Sequence, residues 1–553
     1  MDHEDKIIRP RNIITLLYKR TGLHGGFEFI QGTGMPLLQD DVDDTHNPDA
    51  EDGRRDDRNI RFDHPVFTKP RKTPLHRRRA KSYDLSQLLG RQPVVLLHLF
   101  KQLSIELIQF RHFFAQFNDQ IIKKKPLIAL LSANYPEGYG YFCLYKNYRM
   151  SNAFSPEELS AFRNDTTGCA HVIHLNNAGA ALMPDPVTRA IQEHIALEAR
   201  IGGYEAAAEC EKAIAQFYVQ AAKLLHCTPE NIAFTNNATD SFIRALSSIP
   251  FQPGDVILTD NDNYISNQLQ FLSLQKRQGL RLLRIKNAPI GGIDLTDLEE
   301  QLYRLKPRLL AITHIPTNSG LVQPVESIAA LYHRYTTALP GHSWYILDAC
   351  QSVGQVDLDT SALQCDFLSV TSRKFLRGPR GAGFLYVSDK VLQNGLEPLY
   401  IDMRGAEWID KDTYRPRDTA MRYEDWEFAY ALVQGTRVAI EYCLAIGLER
   451  IRQRVWSLAG DLRDRLAAMP GVRVLDRGPL QGGLVTFTVK DKQPGDLLEA
   501  LRKRKINVVS SLREFAVLDF DEKGVQWAIR VSPHYYNTQE ELATFLDVLG
   551  PLL

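Results

Sequence analysis

The sequence predicts an α/β protein, with a large domain on a mostly parallel sheet followed by a smaller α+β domain. Three observations predict it. From about residue 186, short apolar runs alternate with helix-patterned stretches, the rhythm of strands joined by helical crossovers. Beyond residue 427 this rhythm gives way to one long helical segment, to 468, and then to a β/α mixture reaching 553. The texture also changes abruptly at Met150, which resembles a natural translation start.

The elements follow in order. Ser155-Pro-Glu-Glu reads as a capped first helical turn, with Ser155 as cap and Pro156 at the first helical position. Residues 174–179 read as a short strand and turn. Helices are expected near 186–199, 204–225 and 239–247. Strands are expected at 232–235, 256–259, 282–285, 309–313, 344–347, 367–370 and 382–387, then at 484–489 and 527–531. The large domain is assigned to 186–427 and the small one to 428–553, with 150–185 as an arm of the small domain. Residues 1–149 differ. The stretch 40–58 is rich in acids and arginines, and 68–81 is strongly basic. Charge blocks of this kind are expected to be disordered, and 85–117 to hold one or two helices. This part reads as an extension or a misassigned start.

Composition narrows the function. The 44% apolar content supports a large core. Lys plus Arg and Asp plus Glu are both 66, so the formal net charge is zero, against a globally basic nucleic-acid binder. None of the seven cysteines forms a CxxC pair, so neither a zinc site nor a disulfide framework is indicated, and a reducing, cytoplasmic setting is expected. The apolar stretch 94–114 is interrupted by Lys101, Glu106 and Arg111, so no membrane span is expected there.

The strongest chemical signal is a pair. Lys374 lies on a polar turn between two apolar runs, and Asp348 ends the apolar run Trp344-Tyr-Ile-Leu. A lysine amine can form a Schiff base with the aldehyde of pyridoxal phosphate (PLP), and a carboxylate can hold a proton on the pyridine nitrogen. Other residues follow strand ends, where ligands bind in such sheets. Gln351 can reach the ring hydroxyl. Tyr264 can stack on the ring. Ala238 and Thr239 open a helix whose N–H groups can cradle a phosphate. His314, Thr317 and Asn318 are candidate polar groups on the cofactor or substrate side. Arg530, on a late apolar strand, needs an anionic partner, and a substrate carboxylate suits its fork. Taken singly, each of these also has an ordinary structural explanation.

Together, Leu175-Asn-Asn-Ala-Gly, Phe234-Thr-Asn-Asn-Ala-Thr, Asp348-Ala-Cys-Gln-Ser-Val-Gly, Ser372-Arg-Lys-Phe-Leu-Arg-Gly-Pro-Arg-Gly and Arg530-Val-Ser-Pro-His-Tyr-Tyr-Asn resemble the class V aminotransferase family of fold-type I PLP enzymes. The resemblance spans most of residues 150–553. It implies a seven-stranded, mostly parallel sheet, a homodimer and an amino-acid substrate. It makes Lys374 the cofactor-linked lysine, Asp348 the ring-nitrogen partner, Gln351 the hydroxyl ligand and Tyr264 the stacking residue. Arg530 becomes the carboxylate anchor, and Thr239, Thr371 and Arg373 hold the phosphate. Cysteine desulfurases carry a persulfide-forming cysteine on a loop before that arginine, where Val508-Val-Ser-Ser-Leu-Arg-Glu-Phe has none. Arg373 replaces their usual His, and Trp426-Glu427 replaces a Gly-Thr pair. The expectation is a C–S lyase without a persulfide cysteine, with an epimerase or aminotransferase as the alternative on the same scaffold. A rival of another class is a non-catalytic regulator whose basic 68–81 run contacts nucleic acid. The intact lysine–aspartate pair and the neutral net charge weigh against it.

Overall fold

The computed structural model describes residues 153–339 and 343–553. The expectations for 1–149, including the basic run and the helices near 85–117, lie outside the described residues. The predicted first helix is present as Pro156–Asn164, closed by a capping box in which Ser155 and Glu158 satisfy each other's backbone N–H groups.

The main sheet has seven strands: β2 (Ile232–Thr235), β3 (Val256–Thr259), β4 (Arg281–Arg284), β5 (Leu309–Thr313), β6 (Trp344–Asp348), β7 (Phe367–Thr371) and β8 (Gly383–Val387). Their spatial order is β2-β8-β7-β6-β5-β3-β4. Only β8 runs against the others, pairing antiparallel with both β2 and β7. Successive side chains of a strand point to opposite faces, and here they feed two separate cores. Leu310, Ile312, Tyr345 and Leu347 pack into one. Leu309, Ala311, Trp344 and Ile346 pack into the other. A sheet buried on both faces explains why these strands read as continuous apolar runs.

A second sheet is fully antiparallel. It orders β11 (Val472–Val474), β12 (Val485–Val489), β15 (Trp527–Val531) and β14 (Val509–Leu512) as β11-β12-β15-β14, over its own core of Leu458, Leu462, Phe487, Ile529 and Phe545. The strand β1 (Ile173–His174) pairs with β13 (Ile506–Asn507), tying the N-terminal segment to this part of the chain.

Several elements differ from expectation. The segment read as one helix beyond 427 is two, Tyr430–Ile446 and Leu448–Ala467, bent by 82° at Gly447, whose φ of 92° suits glycine. No single helix among the described residues is long and apolar enough to cross a membrane. The helix read at 204–225 breaks at Cys210. The hairpin β9 (Ala406–Asp410) and β10 (Thr413–Pro416) was not expected, because it is largely exposed and lacks an alternating apolar face.

A buried carboxylate, Glu424, ties down Arg404, just before that hairpin. Glu424 accepts from Phe234 N of β2 (2.7 Å), from Tyr218 Oη (2.9 Å) and from Arg404 Nε (2.7 Å). The Arg404 guanidinium also lies 3.9 Å from the centre of the Phe428 ring. Removing one partner of a buried pair leaves the other uncompensated. Glu424→Ala is expected to lower stability by about 3–5 kcal/mol in urea unfolding. A loss within about 0.5 kcal/mol, the range of ordinary surface changes, would show that the pair does not carry this region.

Candidate active site

All parallel strands of the main sheet end at one edge, and the antiparallel β8 begins there. A cavity of about 280 Å³ opens at that edge. It is lined after β2 by Asn237, Ala238 and Thr239, after β3 by Tyr264, and at the end of β5 by Thr313, Ile315 and Thr317. Asp348, Cys350 and Gln351 line it from β6, then Thr371, Arg373 and Lys374 from β7. Arg380 and Gly381 complete the wall. Nine of the twelve candidate residues named from the sequence therefore meet in one space.

Lys374 is 4% exposed, and burial lowers its amine to about 8. Its turn is braced from beneath. Gly354, with φ of 90°, packs on the Phe375–Leu376 backbone, where an added Cβ would sit 2.2 Å from Phe375 C. Nε of the buried Arg377 donates to Leu182 O (2.8 Å), and its Nη2 donates to Thr166 Oγ1 (2.6 Å). Phe375 O meets His534 Nε2 at 3.0 Å.

Asp348 accepts from Cys350 N at 3.0 Å through Oδ1 and from Asn267 Nδ2 at 3.2 Å through Oδ2. Asn267 Nδ2 is also 2.9 Å from Asn263 Oδ1, and Asn263 Nδ2 donates to Ala311 O (3.1 Å). Sequence reasoning did not assign Asn267. Its signal was the i, i+4 asparagine pair straddling the helix start at Ile265. Beneath this network lies Asp260, fully buried and pushed up to about 7 by that burial, accepting from Thr313 N.

Gln351 Nε2 donates to Ala178 O (3.0 Å) and Thr317 Oγ1 (2.7 Å), and its buried Oε1 has no partner. The helix after β2 begins at Ala238, one residue before the expected start, and its cap is Asn237, whose side chain accepts from Asp240 N. Ala238 and Thr239 are thus the first two helical residues, whose N–H groups have no partner within a helix. Of the polar candidates after β5, Thr317 lines the cavity, whereas His314 and Asn318 are buried outside its lining.

Arg530 also lies outside the lining. It is fully buried on β15. Its Nη2 donates to Asn176 Oδ1 (3.0 Å), while Nε and Nη1 have no partner. Burial lowers it to about 9. The segment expected as a loop before it is the strand β14, paired with β15 so that Val509 faces Arg530 and Ser510 faces Ile529. Cys350 is the one cysteine lining the cavity among the described residues. Burial, then the Asp348 charge, push its thiol well above the ordinary range.

These residues fit PLP on their own chemistry. A buried lysine, a buried carboxylate, a helix N-terminus, Arg373 and an unpartnered Gln351 oxygen line one space. Residues 173–545 match the model of the aminotransferase class-V family. The chain belongs to that family. It is a PLP-dependent enzyme of the fold-type I class. A probable cysteine desulfurase of Pyrococcus abyssi is 28% identical over 72% of this chain and 98% of its own length. The apo structure of a cysteine desulfurase from Thermococcus onnurineus NA1 superposes with a TM-score of 0.65 at 26% identity, covering 73% of this chain and 99% of that one. A complex of the cystine C–S lyase C-DES with its product cysteine persulfide shares the fold, with a TM-score of 0.62 at 24% identity, covering 70% of this chain and 99% of that one.

The lowered lysine has a measurable consequence. Only the neutral amine attacks an aldehyde. The rate of PLP loading onto the cofactor-free protein should rise with pH through a midpoint near 8. A midpoint near the free-lysine value of about 10.4 would show that Lys374 is not held as described.

Proposed function

We propose that the protein is a C–S lyase acting on cysteine or an S-substituted cysteine, releasing sulfur by direct elimination without a persulfide on its own cysteine. The observation that carries this reading is the strand beside Arg530. Where a desulfurase would place its sulfur-accepting cysteine, Ser510 and Ser511 sit in a paired strand, with Ser511 only 2% exposed. The likeness to proteins named cysteine desulfurase supports the substrate class.

Asp348 would hold the pyridine nitrogen, Tyr264 and Gln351 the ring, and Ala238, Thr239, Thr371 and Arg373 the phosphate. When bound, PLP supplies an electrophilic aldehyde and a sink for negative charge at the substrate Cα. Asp348 keeps a proton at the ring nitrogen, and Asn267 fixes that carboxylate. Lys374, neutral in part near physiological pH, takes the proton from Cα. With PLP bound, the Cβ–S bond of the substrate would break with its electron pair on sulfur, giving a thiolate or sulfide, and water would complete the net conversion of the carbon fragment to pyruvate and ammonia. Arg530, buried outside the cavity lining with two unpartnered nitrogens, would anchor the substrate carboxylate once that group reaches it. The exposed aromatic groups Tyr400 and Trp408, 84% and 79% exposed, support a homodimer.

Product analysis tests the reading. With cysteine or cystine as substrate, elimination yields pyruvate and ammonia, whereas transfer of sulfur to an enzyme thiol yields alanine. Pyruvate is expected, and Cys350→Ser should leave its rate largely intact. Arg530→Lys should raise KM by about ten-fold or more, because a point charge cannot replace the two-pronged contact. Alanine as the product, or loss of sulfur release in Cys350→Ser with PLP still bound, contradicts direct elimination. Inversion at Cα without sulfur release would instead mark an epimerase.

A further inference from the structure

Arg530 has a fixed backbone and a head held at one atom. Its strand β15 is flanked on both sides, by β12 through Thr486 and by β14 through Val509. The head makes one hydrogen bond among the described residues, from Nη2 to Asn176 Oδ1 (3.0 Å). Nε and Nη1 have no partner. A long side chain held at a single atom owes its position to that atom's partner, because many rotamers are otherwise open to it. The charge of Arg530 also reaches the cavity, acting on Lys374, Arg373 and Tyr264, all three of which line it.

Asn176 is itself held in place. Its backbone bridges Ser532, two residues beyond Arg530. Its neighbour Leu175 donates from N to Asn507 O (2.9 Å) and accepts at O from Ser532 N (2.7 Å), which ties the segment to β13 and to the end of β15. The short helix Asn177–Ala180 then leads to the cavity residues. Ala178 O accepts from Gln351 Nε2 (3.0 Å), and Ala181 N donates to Arg373 O (2.8 Å). The segment 176–181 thus touches Arg530 of the second sheet and two residues that follow strands of the main sheet. Gly179 leaves the room that the Asn176 side chain needs. A Cβ there would lie 2.6 Å from Asn176 Oδ1, the atom that accepts from Arg530.

We infer, building on the anchor role proposed for Arg530, that Asn176 is the residue that positions Arg530 and, through it, the substrate's carboxylate. An amide oxygen accepts from a guanidinium without cancelling its charge. Arg530 is therefore oriented and still attracts an anion, whereas a carboxylate partner would offset that attraction. Asn176 acts through Arg530, so the loss of its side chain matters only while the arginine is there to be held.

Glycine is the probe, since it carries the amine and carboxylate of an amino acid and no leaving group. Its binding to the PLP-loaded full-length chain is followed by the cofactor's absorbance, for wild type, Asn176→Ala, Arg530→Lys and the double variant. PLP affinity is measured alongside. Lysine keeps a point charge at position 530, so residual glycine binding stays measurable. Asn176→Ala should weaken glycine about ten-fold in the wild-type background and less than about two-fold in the Arg530→Lys background, with PLP affinity unchanged. Equal losses in the two backgrounds overturn the inference, as does no loss in either. A parallel loss of PLP affinity overturns it too, because that marks a disturbance of the whole segment 176–181. If Arg530→Lys binds glycine as wild type does, or wild type does not bind it, the anchor role of Arg530 fails and this inference with it.

Discussion

A lysine amine sealed inside a protein must find an anion or give up its proton, and Lys374 is held so that the second course is open. Burial disfavours its charged form, and the guanidiniums of Arg373 and Arg530 act in the same direction. Arg373, Lys374 and Arg380 line a space where Asp348 is the one lining carboxylate among the described residues, and the buried Arg530 lies outside that lining. On the proposed function, a cofactor phosphate and a substrate carboxylate would be the acidic ligands of this space.

The fold sustains that arrangement through topology. Five separate strand ends deliver side chains to one edge, and the reversed β8 returns the chain to the same edge with Arg380. The lysine turn is gripped from several directions, by Gly354 below, by Thr166 and Leu182 through Arg377, and by His534 through Phe375 O. Residues distant in sequence thus fix one amine. The asparagine relay from Asn263 to Asn267 to Asp348 does the same for the carboxylate.

Much of this was legible in the residues themselves. Strands β2, β3 and β5 match their expected bounds, because doubly buried strands leave uninterrupted apolar runs and end in polar turns. The chemistry-bearing side chains were legible for the same reason, each following a strand end. What the sequence concealed depended on contacts between distant segments. The bend at Gly447 is invisible when the flanking helices share one periodicity. The hairpin 406–416 is largely exposed and carries no alternating apolar face, and Arg404, just before it, pairs with Glu424 twenty residues on. The burial of Arg530 outside the cavity lining follows from sheet packing, and so does the inclusion of Cys350 within it.

The account stands on Lys374 as the residue that carries the cofactor. Borohydride treatment of the PLP-loaded protein, followed by digestion and mass spectrometry, tests this directly. The account predicts a single pyridoxyl label, located on Lys374, and its loss in Lys374→Ala. A label on another lysine, or a Lys374→Ala protein that is labelled as fully as wild type, would contradict it.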